Sequence, residues 1–201
     1  MDVVCNYEKM LTKLRKAFDR FVVLEDDEWE KFKEVIIIRV FRKGEYFVKE
    51  SETCKYVGFI DKGLFRYYYQ IDGQQYTRQF FFHNNFMANY ESYITNETSN
   101  AWIEALEDAT VFLIPRDSLF ELYTQSLNFQ KLGRKVAEYL FLTVSTKYKS
   151  FLLETAEERY LDLIKNRPKV IQNIPQYMIA SYLGITPEGL SRIRKRLYRN
   201  N

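Results

Sequence analysis

The chain is short of the residues on which most catalytic and metal chemistry is built. It has one histidine, His83, and two cysteines, Cys5 and Cys54, that sit far apart with no metal-ligand spacing. An iron–sulfur cluster needs four thiolate ligands, so two cysteines exclude it. Haem or another metal would need axial or clustered ligands, and a lone histidine in a strand-ending position reads as a turn residue. The two cysteines read as free thiols in a reducing cytoplasm rather than as a disulfide. Glycine is scarce as well, with seven residues scattered mostly at turns. None forms the Gly-rich loop that cradles a nucleotide phosphate. No apolar run approaches the roughly 18 residues of a membrane span. Asp2, Glu8, Lys9 and Lys13 interrupt the opening residues, which excludes a signal-peptide pattern. These absences point to a cytoplasmic protein with no membrane partner, no catalytic residue, no metal and no cofactor.

What the chain has is 46% hydrophobic residues and an uneven distribution of charge. Residues 1–115 carry 15 Lys/Arg against 19 Asp/Glu, a net of −4, whereas residues 116–201 carry 15 against 8, a net of +7. Such asymmetry suggests that the C-terminal part faces nucleic acid.

Periodicity divides the chain. Helical spacing over residues 7–33 (Leu11, Leu14, Phe18, Phe21, Trp29, Phe32) predicts two short helices. Short β-rich runs come next at Val35–Phe41, Tyr46–Val48, Tyr56–Ile60, Leu64–Ile71, Tyr76–Phe82 and Thr110–Ile114. Asp72-Gly73 between two aromatic runs is a strong hairpin signal. The expectation is an antiparallel β-roll whose aromatics, Tyr67–Tyr69 and Phe80–Phe82, pack on both strand faces; the alternative is a base-stacking platform. A long helix is predicted between Phe120 and Leu153, broken near Ser126–Asn128. Its stripe of Leu132, Val136, Tyr139, Leu140, Val144, Tyr148 and Phe151 suits pairing with a second copy, or packing on the chain's own roll. Another helix is expected over Thr155–Lys165, with Arg167-Pro168 punctuating the entry to the last two helices. The domains are read as 1–126 (helices and β-roll), 127–153 (dimerisation helix) and 154–201 (DNA-binding domain).

Residues 176–195 carry the sharpest signal. A first helix from about Pro175 to Leu183 places Ile179 and Leu183 on one face, with the small Ala180 where a second helix must approach. Gly184 supplies the positive φ of a tight exit, Ile185 plugs the corner, and Thr186-Pro187 marks a new helix start. In that second helix Leu190, Ile193 and Leu197 face inward, leaving Glu188, Ser191, Arg192, Lys195 and Arg199 outward. This is helix-turn-helix spacing, whose dominant use is placing the second helix in a major groove. The bland alternative is an ordinary helix pair with a solvated basic end, but so many filled slots favour double-stranded DNA as the partner.

With these elements in this order, the chain resembles the Crp/Fnr family of bacterial transcription regulators. The resemblance implies an α+β fold: an N-terminal antiparallel β-roll of the cupin-like, cyclic-nucleotide-binding-like kind with flanking helices, a long dimerisation helix, and a C-terminal helix-turn-helix. It implies a homodimer reading a palindromic site. Glu188, Ser191 and Arg192 match the E-x-x-S-R pattern of the Fnr branch, which assigns Arg192 to a guanine, Glu188 to a cytosine amino group and Ser191 to a neighbouring base. Thr186, Arg194, Lys195, Arg196 and Arg199 complete the expected DNA-binding set, the cations meeting phosphates.

The resemblance breaks at two places. Cyclic-nucleotide-binding members carry Gly-Glu about ten residues before Arg-Ser-Ala, the glutamate for the ribose and the arginine for the cyclic phosphate. Here Ala88-Asn89 takes the first position and Ser99-Asn100 the second, so the charge partners are missing and no physiological cAMP binding is expected. Asn89, Ser99 and Asn100 remain the candidates to line a pocket for an unidentified small-molecule effector, if one exists. The second break is that the sequence stops at Asn201, which predicts no full wing after the recognition helix. RNA polymerase is a further partner consistent with the family. The competing readings are a ligand- or protein-binding module with a vestigial DNA-binding domain, and an enzyme on a cupin-like barrel; the second is disfavoured by the missing metal ligands.

Overall fold

The computed structural model describes residues 2–199, with side chains from residue 8 onward. The Cys5 thiol and the question of a wing beyond residue 199 lie outside the described residues. In space the chain groups into two compact units, residues 1–66 with 81–141, and residues 67–80 with 142–201. The second unit therefore takes in a hairpin from the roll.

The first unit opens with α1 (Asp2–Asp19) and α2 (Asp26–Glu34). Their apolar faces meet where Phe18 and Phe32 lie 4.8 Å apart edge-on, and within α2 Trp29 stacks on Phe32 at 5.7 Å. The start of α2 is fixed by a reciprocal capping box, in which the Glu25 N–H donates to the Glu28 carboxylate at 2.9 Å. The same buried carboxylate accepts from the Ser126 hydroxyl and, at 3.0 Å, from the Asn128 amide. Burial would push the Glu28 carboxyl up, but the Ser126 and Asn128 hydrogen bonds, with that from Glu25, outweigh it and hold the group below the usual carboxylate range.

The strands are β1 (Ile37–Phe41), β2 (Tyr46–Val48), β3 (Tyr56–Lys62), β4 (Leu64–Ile71), β5 (Gln74–Phe82), β6 (Phe86–Met87), β7 (Trp102–Ala105) and β8 (Ala109–Pro115). They form two four-stranded sheets, ordered β1-β8-β3-β6 and β2-β7-β4-β5. Antiparallel register pairs Ile37 with Leu113 and Phe59 with Phe112. The centrally placed β8 has Val111 to Ile114 all buried, as a strand covered on both faces requires, whereas edge strand β1 leaves Ile37, Ile38 and Val40 exposed. Gly63 links β3 to β4 at φ +117°, where a Cβ would come within 2.3 Å of the Ala109 Cβ. The two strands absent from the sequence reading, β6 and β7, are two and four residues long, too short to show alternation.

The short helix α3 (Tyr90–Thr95) lies between β6 and β7. The long helical region divides as its sequence suggests: α4 (Arg116–Gln125) and α5 (Leu127–Leu153) are separated at Ser126, which is extended. Ser126 Oγ accepts from the Asn128 N–H at 3.0 Å and so starts the second helix. Phe129 and Leu132 of α5 are buried, and Gly133 lies against the Tyr123 ring of α4. Further along, Tyr139, Phe141, Leu142, Val144 and Tyr148 are exposed.

The second unit holds the β4–β5 hairpin, the C-terminal end of α5, then α6 (Ala156–Asn166), α7 (Pro168–Asn173), α8 (Gln176–Leu183) and α9 (Pro187–Arg199). Asp72 and Gly73 both take positive φ, +50° and +78°, as a two-residue turn matched to strand twist requires. A capping box between Thr155 and Glu158 starts α6. The Arg167-Pro168 punctuation proves to open a short helix, α7, with Pro168 in its first turn.

Candidate nucleic-acid interface

Tyr160 and Leu163 of α6, Val170 of α7, Ile174, and Met178, Ile179, Ala180 and Leu183 of α8 are all buried, as is Leu190 of α9. Pro175 stands one position earlier than its sequence suggested, as the N-cap of α8 rather than its first residue. Gly184 leaves α8 at φ +72°, and its N–H and that of Ile185 donate to Ser181 and Ala180 carbonyls. A Cβ on Gly184 would meet the Phe151 ring at 2.8 Å, so the position needs glycine for space and for conformation. Arg159 seals the same end: it donates to the Leu183 carbonyl at 3.0 Å and lies over Phe151. This gives the Leu183 carbonyl a charged donor at the negative end of the helix dipole.

Thr186 is the N-cap of α9, its hydroxyl oxygen accepting from the Gly189 N–H at 3.1 Å. Leu190 is buried, Ile193 and Leu197 are half-buried, and Glu188, Ser191, Arg192, Arg194, Lys195 and Arg199 are exposed. The expected outward stripe is thus on one helix and open to solvent. Glu188 is held below the usual carboxylate range, chiefly by its own backbone N–H, then by the Thr186 hydroxyl, with a smaller contribution from Arg192. It stays an acceptor at neutral pH, which is what pairing with an amino group asks of it. Arg196 is differently placed, because its guanidinium pairs with Glu157 of α6.

Of the three candidate effector residues, two meet in the interior and one is exposed. Asn89 is buried and caps α3, accepting from the Ser92 N–H, and its amide donates to Ser99 Oγ at 2.8 Å. Ser99 is buried too, its hydroxyl donating to the Ala101 carbonyl at 2.7 Å and accepting from the Ala101 N–H at 3.1 Å. The positions ten residues apart therefore meet, but spend their hydrogen bonds on each other and on the backbone. Asn100 is exposed. His83 lies in the turn after β5, and the described residues contain no group of three or more His, Cys, Asp or Glu that could hold a metal. No described helix is long and apolar enough to cross a membrane.

Residues 38–126 match the family model for the cyclic nucleotide-binding domain. Among solved structures, FixK2 from Bradyrhizobium japonicum is similar over 83% of this chain and 86% of its own, at 22% identity and a TM-score of 0.67. A protein from Eubacterium rectale described as a transcriptional regulator of the Crp/Fnr family matches over 88% and 85%, at 16% identity and TM-score 0.70. The c-di-GMP responsive regulator CLP of Xanthomonas campestris matches over 88% and 93%, at 15% and 0.65. The fold is the Crp/Fnr fold. No curated protein matches the chain by sequence.

Several residues that organise this unit were not singled out from the sequence. Arg159 and Glu157 sit among ordinary surface charges of an amphipathic helix, and nothing in the spacing marks them. Arg167 was visible only as punctuation before proline. Yet it donates to the Phe80 carbonyl at 2.7 Å, the Gln79 side chain at 3.3 Å and the Tyr182 hydroxyl at 3.1 Å.

Proposed function

We propose that the chain is a sequence-specific DNA-binding transcription regulator, acting as a homodimer on a palindromic site and not controlled by cAMP. The observation that carries the reading is α9: a capped helix whose inner face is held by the second unit and whose outer face offers Glu188, Ser191, Arg192, Arg194, Lys195 and Arg199 to solvent. Its dimensions suit a major groove, and its side chains suit base edges and phosphates. Thr186 orients the helix start and Glu188. Arg196 reaches a phosphate only by leaving Glu157. The exposed apolar residues of α5, Tyr139 to Tyr148, favour a second copy as partner, since contiguous apolar surface of this kind is rarely left to water. RNA polymerase would be the further partner of an activator.

cAMP independence rests on the Asn89–Ser99 bond. A cyclic phosphate there would meet Ser99 in place of the cassette's arginine and would have to break a satisfied pair of buried polar groups. Micromolar binding of cAMP in a calorimetric titration would overturn this part. For DNA, binding sites are selected from random duplexes and then titrated with wild type and Arg192→Ala. The variant is expected to lose about 1–3 kcal/mol on the preferred site and to relax its choice at one base. An unchanged site preference would remove Arg192 from base reading, and absence of salt-dependent duplex binding would overturn the function as a whole.

A further inference from the structure

Three cations converge within the second unit. Lys147 of α5 points its ammonium at the Tyr182 ring of α8, 3.9 Å from the centroid, and donates to the Arg78 carbonyl of β5. Arg167, between α6 and α7, donates to the hydroxyl of the same Tyr182 at 3.1 Å. Arg78 lies 4.8 Å over Tyr67 and donates to the Tyr67 and Tyr69 hydroxyls at 3.0 and 2.9 Å. All of these partners are neutral, and the charges that act on Lys147 are the Arg167 and Arg78 guanidiniums, with no carboxylate among them. Neutral acceptors satisfy N–H groups one by one, but they leave the summed charge standing. All three cations are half-buried, so a solute can reach them while water screens them only in part.

We propose that Arg78, Lys147 and Arg167 form a receptor for a small dianion of the phosphate monoester class, walled by Tyr67, Tyr69 and Tyr182. Two guanidinium forks and an ammonium match a tetrahedral oxyanion, and the tyrosine hydroxyls can turn to donate to it. A dianion cancels most of a triple positive charge where a monoanion does not. On the reading that the chain regulates transcription, this is its effector input, because the site is built on the first helix of the DNA-binding pair. Ser181, beside Tyr182, accepts from the Thr77 N–H at 2.8 Å and donates to the Gln75 carbonyl at 3.0 Å. An anion seated here tightens the grip of the hairpin on α8.

Anion binding also draws a proton. Burial, with Arg167 and Arg78, pulls the Lys147 ammonium down to about 7, and a bound dianion restores its charge. The groups facing it are Arg78, Arg167 and Tyr182, with Tyr67 and Tyr69 behind Arg78.

The test is calorimetric titration of the whole chain, without DNA, at low ionic strength. Its probes are inorganic sulfate, whose charge is constant between pH 6 and pH 8, and phenyl phosphate. Saturable binding is expected for both, with sulfate about fivefold tighter at pH 6 than at pH 8. Arg78→Met and Arg167→Met should each weaken it about tenfold. Lys147→Met, which relieves repulsion and so keeps the fold, should abolish the pH dependence. Lys165→Met, at the exposed end of α6, should leave sulfate binding unchanged. Heat that never saturates in the millimolar range, or weakening by Lys165→Met as large as by Arg167→Met, would overturn the proposal. Because no DNA is present, this outcome is separate from any failure of DNA recognition.

Discussion

Replacing Lys147 by methionine should make the protein more stable, and by an amount that depends on pH. The ammonium has an ordinary value of 10.5 and is held at about 7 by burial and by the Arg167 and Arg78 charges. Taken at face value that difference is about 5 kcal/mol of penalty on the charged form. The sign comes from proton counts. Between pH 7 and pH 10.5 the unfolded chain holds the Lys147 proton and the folded chain does not, so stability rises with pH across that window. Below pH 7 both states are protonated and the folded state bears the whole penalty. Lys147→Met keeps the aliphatic stem that lies against Tyr182 and removes the charge. Its gain in stability should therefore be about 1 kcal/mol larger at pH 6 than at pH 8. Loss of the hydrogen bond to the Arg78 carbonyl shifts both values equally, so the change between the two pH values is the readout. Thermal unfolding of both proteins at pH 6, 7 and 8 and matched ionic strength measures it, each kcal/mol moving the midpoint by about 2–4 °C. Parallel pH profiles for wild type and variant would refute the reasoning, because they would mean that Lys147 keeps its proton throughout.

Two further outcomes concern the first unit. Gly63→Ala combines a φ of +117° with a Cβ 2.3 Å from the Ala109 Cβ, so it should cost about 3 kcal/mol or more in denaturant unfolding. Glu28→Ala removes a capping box and the hydrogen bonds from Ser126 and Asn128, and should cost about 2–3 kcal/mol at pH 7. The Glu28 carboxyl lies below its ordinary value when folded, so its contribution is present above the usual carboxylate range and is lost as pH falls through the lowered value. Wild type should accordingly lose its advantage over Glu28→Ala in acid, as pH-dependent unfolding curves would report.

Much of the architecture was legible because periodicity and turn chemistry agreed locally. Asp72-Gly73 could be read as a hairpin since few residue pairs accept two successive positive φ values. The break near Ser126–Asn128 and the helix beginning at Thr155 were visible in the spacing of apolar residues, and the capping hydrogen bonds that set them needed the fold. The helix-turn-helix was legible for the same reason: Gly184, Thr186 and Pro187 each have a conformational role that spacing alone exposes. The short elements β6, β7, α3 and α7 hold two to six residues, and their conformation is set by neighbours distant in sequence. The grouping of residues 67–80 with the C-terminal unit was hidden as well. It depends on Arg78, Lys147, Arg167, Ser181 and Tyr182 meeting across long stretches of sequence. Asn89 and Ser99 were found by resemblance, but their role as mutual partners needed coordinates, because an asparagine ten residues before a serine is unremarkable by itself.

The Asn89–Ser99 pair also limits how sequences like this one can change. Restoring the charged cassette would take glutamate at position 89 and arginine at position 99. Asn89→Glu alone removes the amide that donates to Ser99 and buries a carboxylate without the cassette's arginine. Ser99→Arg alone strips Ala101 of its hydroxyl partner and buries a guanidinium without the cassette's glutamate. Each intermediate costs several kcal/mol, which is a large share of what a domain has. The neutral pair is thus separated from the charged one by a fitness valley two substitutions wide, and a lineage on this side of it would have to discover its signal elsewhere in the fold.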